Sequence, residues 1–111
     1  MVLTRGEIVL VNFNPAKGAE MGKYRPAVVI SDELDNEILP TIMVMPLSTC
    51  LEDNALPYRF RIPARQDLLQ DSDACINEIR SLSKDRVKTS LAKVSKEEYQ
   101  ILTQSLCQLV L

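Results

Sequence analysis

The chain contains no histidine, and that absence removes the usual general base together with every Ser/His and Cys/His catalytic pair. Cysteine is scarce and odd in number. Cys50, Cys75 and Cys107 show no C-x-x-C spacing, which argues against a disulfide framework and, without histidine, nearly excludes zinc. Long hydrophobic runs are missing too: AVVI and IMVM fall far short of the roughly 20 residues of a membrane span. No charged-then-apolar leader opens the chain, so a soluble, cytoplasmic protein without membrane association is expected. Any catalysis must run on carboxylates, arginines, hydroxyls or thiols, and no metal or other cofactor is expected.

At 111 residues with 46% hydrophobic content, the sequence suits one domain, residues 1–111, with a single core. Its net charge of −2 argues weakly against a nucleic-acid partner. The distribution of charge says more. From Asp32 to Asp53 there are six acids and no Lys or Arg, Arg59, Arg61 and Arg65 follow, and Arg80 to Lys96 holds six basic residues against Asp85 alone. Two faces of opposite sign and ordinary solvated surface both account for this pattern.

Hydrophobic periodicity predicts several short strands and one helix. RGEIVLVNF, residues 5–13, alternates Ile8 and Leu10 against Glu7, Val9 and Val11 and ends at Asn14-Pro15. PAVVIS and PTIMVMPL read as buried strands, the latter bracketed at its ends by Pro40 and Pro46, with the acidic DELDNEIL between them as a loop. YRFRI alternates Tyr58, Phe60 and Ile62 inward with Arg59 and Arg61 outward. ARQDLLQDSD suits a helical turn or loop, CINEIRSL a fifth strand and VKTSLAKV a sixth. In SKEEYQILTQSLCQLVL the period changes: Ser95 and Glu98 form a capping box, and Tyr99, Leu102, Leu106 and Leu109 share one helical face. The expected fold is mainly β with α, a small curved sheet or barrel closed by a C-terminal amphipathic helix.

Three polar clusters are candidates for chemistry. In KGAEMGKYRPAVVIS, Pro26 bars helix and holds Arg25 extended at the mouth of a buried strand. Arg25 is there either to meet an anion or as a surface arginine paired with Glu20. Ser48 and Thr49 follow PTIMVMPL directly, as a plain turn or as two presented hydroxyls. Asn77 and Glu78, adjacent on the expected strand CINEIRSL, would face opposite sides. Cys50 and Cys75 read as small buried hydrophobes.

Together these residues resemble the MazF/PemK family of bacterial toxins. The opening RGEIVLVNFNPAKGAEMGKYRPAVVIS is similar to that family's RG-D/E strand and PxxGxExxxxRP loop, PTIMVMPLST to its strand ending in Thr or Ser, and EIRSLSKDRV to its Q-x-R-T-I-D-K-x-R segment. The resemblance implies a small SH3-like barrel of the CcdB/MazF type and a homodimer. It implies a toxin of a type II toxin–antitoxin system, a sequence-selective, metal-independent endoribonuclease acting on single-stranded mRNA and held inactive by a cognate antitoxin.

The family's products, 2′,3′-cyclic phosphate and 5′-hydroxyl ends, imply that the RNA's own 2′-hydroxyl is the nucleophile, which suits an enzyme without histidine. By the same resemblance Arg25 is the catalytic arginine and Ser48 takes the place of a threonine, with Glu20 and Thr49 in support. Asn77, Glu78, Arg80, Arg5 and Lys17 are the expected RNA contacts, and Arg59, Arg61 and the basic run 80–96 could meet RNA, antitoxin or both. One departure stands out. Some relatives carry Arg-x-Asp where this chain has Cys75 and Asn77, so the general base is open between Glu20 and water. A catalytically idle RNA- or protein-binding relative, and a gyrase-poisoning toxin of the same fold, are the alternatives.

Overall fold

A computed structural model describes residues 2–13 and 24–111. Seven antiparallel strands are β1 (Glu7–Asn12), β2 (Tyr24–Val29), β3 (Thr41–Ser48), β4 (Arg59–Ile62), β5 (Ser72–Cys75), β6 (Arg80–Ser83) and β7 (Val87–Lys93). Helix α1 (Glu33–Ile38) joins β2 to β3, and α2 (Lys96–Val110) ends the chain. The sheet order is β4-β5-β3-β2-β1-β7, with β6 also on β3. It is a strongly curved, barrel-like sheet with a C-terminal helix, as the alternation predicted. Among the described residues no helix is long and apolar enough to cross a membrane.

Period-two alternation sorts the side chains into two apolar clusters. On one face Val9, Val11, Ala27, Val29, Ile42 and Val44 fill the curve of the sheet. On the other, Ile8, Val28, Met45 and Leu47 meet Ile62, Leu68, Ile76 and, from α2, Leu102. Leu106 and Leu109 pack against this second cluster, so the helical stripe read from the sequence covers the sheet. The Ser95–Glu98 capping box is present. Glu98 also takes two hydrogen bonds from Arg65, at 2.5 and 2.7 Å, tying the helix start to the loop before β5.

At Gly6 the chain turns into β1 with φ +84°, a region open mainly to glycine. A Cβ there would lie 3.3 Å from Val94 Cγ2. Its amide donates to Val29 O at 2.7 Å and its carbonyl accepts from Val94 at 2.9 Å, so β2 and the chain after β7 meet at one residue.

The structure corrects four local expectations. DELDNEIL is not a loop: residues 33–38 form α1, whose N-cap Asp32 accepts from the Leu34 amide. Its apolar residues Leu34 and Ile38 are exposed, while Asn36 is buried and donates to Leu3 O and Ser31 O at 2.9 and 3.0 Å. This polar anchoring leaves no amphipathic stripe to read. Tyr58 is exposed, because it belongs to a turn, its amide bonded to Ala55 O, and not to β4. The stretch 64–73 takes the loop form of its two expected alternatives: Arg65 and Leu68 bridge as a tight turn, and β5 begins at Ser72.

CINEIRSL is not one strand, and Pro46 does not end its own. β5 and β6 run in sequence along the same edge of β3, pairing at Leu47↔Ala74 and then at Val44↔Arg80. Between these pairs the register shifts by three residues, which the 3₁₀ turn Ile76–Glu78 takes up. Pro46 lies inside β3, opposite the interruption. A proline has no N–H for a ladder, and here that edge asks for none.

Leu102 is fully buried, so Leu102→Ala should lower stability by about 2–5 kcal/mol, measured by urea unfolding. The Arg65 guanidinium holds the Glu98 carboxyl below the usual range, against the opposing effect of burial. A carboxylate lowered on folding gives stability that is complete above its unfolded value, about 4.3, and is lost as pH falls through the lowered folded value. Glu98→Gln should therefore lower stability at neutral pH and remove that part of the acid dependence.

Candidate active site

The antiparallel pairing of β2 with β3 brings two of the expected site residues, Arg25 and Ser48, to one end of the sheet. Ala27 pairs with Pro46 and Val29 with Val44; the ladder stops there, and Arg25 and Ser48 each lie two residues beyond its last pair, at the same end of adjacent antiparallel strands. Paired residues share a face of the sheet, and Arg25 shares its face with its β1 partner Val11. Arg25 is exposed at the start of β2 and Ser48 half-buried at the end of β3, so a guanidinium and a hydroxyl project from neighbouring strands at one open end. Val11, Ala27 and Val44 pack behind them.

Ser48 Oγ accepts the Cys50 amide at 3.2 Å. One lone pair is thereby used and the hydroxyl proton is left to donate outward. On its other side Ser48 pairs in register with Asp73 of β5. Burial pushes the Asp73 carboxyl up, but the Arg61 guanidinium and the Glu52 amide together bring it net below the usual carboxylate range. Arg61 and Arg59 are not free outward cations. Arg61 bonds Asp73 and Asp53 at 2.6 and 2.8 Å, and Arg59 bonds Cys50 O at 3.2 Å.

Of the remaining expected contacts, Arg80 belongs near this end. Its guanidinium lies 4.9 Å from the Phe13 ring centroid, and Phe13 is two residues beyond Val11, the partner of Arg25. Arg5 does not: it pairs with Asp32 at 2.5 Å, beyond the far end of β2. Asn77 and Glu78 do not alternate across a strand. Both lie on the 3₁₀ turn and are exposed, because the three-residue register shift pushes them off the sheet. Glu20 and Lys17 lie outside the described residues.

Thr49 faces a groove of about 390 Å³ with Leu10, Pro26, Asp67 and Gln70. The basic run does not form one continuous face. Lys84 Nζ donates to Asn36 O at the end of α1 at 2.7 Å, Arg86 donates to Asn12 O at 3.1 Å, and Lys88 Nζ stands 5.0 Å from the Tyr24 ring centroid. The aromatic partners Phe13 and Tyr24 were absent from the expected contacts, although Phe13 precedes the PxxGxExxxxRP segment and Tyr24 lies within it, directly before Arg25.

Cysteine burial is also corrected in part. Cys75 is buried, whereas Cys50, in the turn after Ser48, is exposed. Burial pushes the Cys75 thiol up. A maleimide should therefore label Cys50 and Cys107 in the native protein and reach Cys75 only in denaturant, as read by peptide mass mapping.

Fold and site define a small SH3-like barrel that presents a cation and a hydroxyl together at one open end. Residues 4–110 match the family of PemK-like, MazF-like toxins of type II toxin–antitoxin systems, and the chain belongs to that family. It is similar to the endoribonuclease MazF of Staphylococcus saprophyticus, 29% identical over 98 residues, which cover 87% of this chain and 82% of that protein. The fold matches MazF in the MazE–MazF complex of Deinococcus radiodurans, with TM-score 0.80, 24% identity, and 99% and 96% of the two chains covered. It also matches the Mycobacterium tuberculosis toxin MazF-mt6, with TM-score 0.76, 15% identity, and 92% and 93% covered.

Proposed function

We propose that this chain is an endoribonuclease, the toxin of a type II toxin–antitoxin pair, acting in the cytoplasm as a homodimer and restrained by a cognate antitoxin. Family membership supports the class, as does the similar Staphylococcus saprophyticus protein named as an endoribonuclease. A mycobacterial endoribonuclease of the same fold is seen in complex with its cognate antitoxin. The observation that supports the reading is that Arg25 and Ser48 lie at the same end of the adjacent antiparallel strands β2 and β3, each two residues beyond the last pair of their ladder.

The substrate is single-stranded mRNA, cut at selected sequences without a metal. In the reaction the RNA 2′-oxygen attacks the adjacent phosphorus, a new 2′-O–P bond forms, and the P–O5′ bond breaks. The 2′-hydroxyl proton passes to a base, for which Glu20 and solvent water are the candidates, and the leaving 5′-oxygen takes up a proton. Arg25 clamps the phosphate through two parallel N–H donors, and as a guanidinium it keeps its charge throughout. Ser48 donates to a nonbridging oxygen, where negative charge grows in the phosphorane. Arg80, with Phe13 beside it, offers a cation and an aromatic face for flanking single-stranded nucleotides, and Asn77 and Glu78 offer hydrogen-bonding groups for unstacked base edges.

Purified protein incubated with long single-stranded RNA in EDTA should yield discrete fragments with 5′-hydroxyl and 2′,3′-cyclic phosphate ends. Arg25→Ala and Ser48→Ala should fold normally and lose about 10²- to 10³-fold in rate, the usual cost of removing one preorganised donor. Cleavage by Arg25→Ala at the wild-type rate would sink the assignment. Binding of varied RNAs without cleavage would favour an idle RNA-binding relative.

A further inference from the structure

The strand beside Ser48 carries a buried charge that the cleavage reaction does not use. Asp73 is 1% exposed and is the register partner of Ser48. A carboxylate so placed is costly unless it is paired and hydrogen-bonded, and a well-packed apolar pair in its place would often be as stable or more so. What an ion pair adds is direction. The guanidinium fork fixes several acceptors in one plane.

That direction is spent on the loop after Ser48. Asp73 Oδ2 accepts the Glu52 amide at 2.7 Å, and Oδ1 accepts Arg61 Nε at 2.6 Å. The other arm of Arg61 reaches Asp53 at 2.8 Å. Arg59, next on the same face of β4, bonds the Cys50 carbonyl and stands 3.9 Å from Glu52. Residues 50, 52 and 53 are thus each held, and within this loop the Cys50 amide donates to Ser48 Oγ.

We propose that Asp73 and Arg61 form a positioning pair for Ser48, holding residues 49–53 so that the Cys50 amide aims the Ser48 hydroxyl at the scissile phosphate. The catalytic consequence rests on the endoribonuclease reading; the hold on the loop does not. The groups facing Asp73 are Arg59 and Arg61 from β4, Glu52 and Asp53 from the loop, and Cys75 from its own strand. With Arg61 against it, the carboxylate stays ionised at neutral pH without presenting an unpaired negative charge to RNA. The pair acts through Ser48 and touches no reacting atom.

The test is a double-mutant cycle with a second, activity-independent measurement. Asp73→Asn and Arg61→Gln are made in the wild-type and Ser48→Ala backgrounds, folding is checked by thermal unfolding, and RNA cleavage is measured beside hydrogen exchange at the Cys50 amide. In the wild-type background each should lower kcat by about 10-fold or more with KM little changed, the signature of an interaction made in the transition state. Each should also speed Cys50 exchange. In the Ser48→Ala background the same changes should cost almost nothing further, because residues acting as one unit are non-additive.

Equal losses in both backgrounds, or a Cys50 amide that exchanges as in wild type, overturns the proposal. If Asp73→Asn does not fold, Arg59→Gln releases the Cys50 carbonyl from a partly exposed position and must give the same pattern. A wild-type protein that cuts no RNA sinks the endoribonuclease reading, and the exchange measurement then decides the hold on the loop by itself.

Discussion

Everything at the open end of this barrel depends on the antiparallel register between β2 and β3. A slip of one residue would turn every side chain of β2 to the opposite face, sending Arg25 toward the helix side and Val28 into the place of Ala27. The register is fixed well away from the site. Val28 and Val29 are fully buried on opposite faces, as are Met45 and Val44 across from them, so no shifted pairing keeps both apolar clusters filled. The geometry of the candidate site is in this sense inherited from the core, and Arg25 and Ser48 can sit at the strand ends, outside the packed interior, without losing their placement.

A second theme is the use of polar ties in a chain whose aromatic content is only 5%. Asn36 fastens α1 to the N-terminal segment and to the end of β2. Glu7 is buried and accepts the Thr4 amide at 3.1 Å, closing the turn that leads into β1. Arg65 and Glu98 join the helix start to the loop before β5, and Tyr99 donates to Ile30 O at 2.5 Å. Among the described residues, no buried side-chain polar atom is left without a partner. Such ties cost desolvation but specify orientation, and apart from the local Glu7–Thr4 turn each links elements that are not neighbours along the chain.

How much of this was legible in the sequence follows from where apolar periodicity reaches. Strands β1, β2 and β3 and helix α2 bury apolar residues along their length, and those residues could be read directly. Arg25 and Ser48 were legible because each adjoins such a stripe, at Pro26 and at the end of PTIMVMPL. Helix α1 was not, since its one buried residue is an asparagine and its leucine and isoleucine face outward. The bulge at Ile76–Glu78 was hidden for a different reason: Ile76 and Ile79 both pack inward, so an interrupted edge reads like continuous strand. Asp73 looked like one of several acids in a loop, because burial of a charge is set by partners on β4 that local sequence does not reveal.

The interruption opposite Pro46 has a consequence for variation in this scaffold. Residues 76–78 hang between two fixed pairings, Leu47↔Ala74 and Val44↔Arg80, on an edge where the facing proline supplies no amide to be lost. Exchanging Asn77 or Glu78, or altering the length of the bulge by a residue, would leave both flanking ladders in place. The barrel thus carries a tract whose chemistry can drift independently of its architecture, a short stretch from the strand ends of Arg25 and Ser48, whose position cannot.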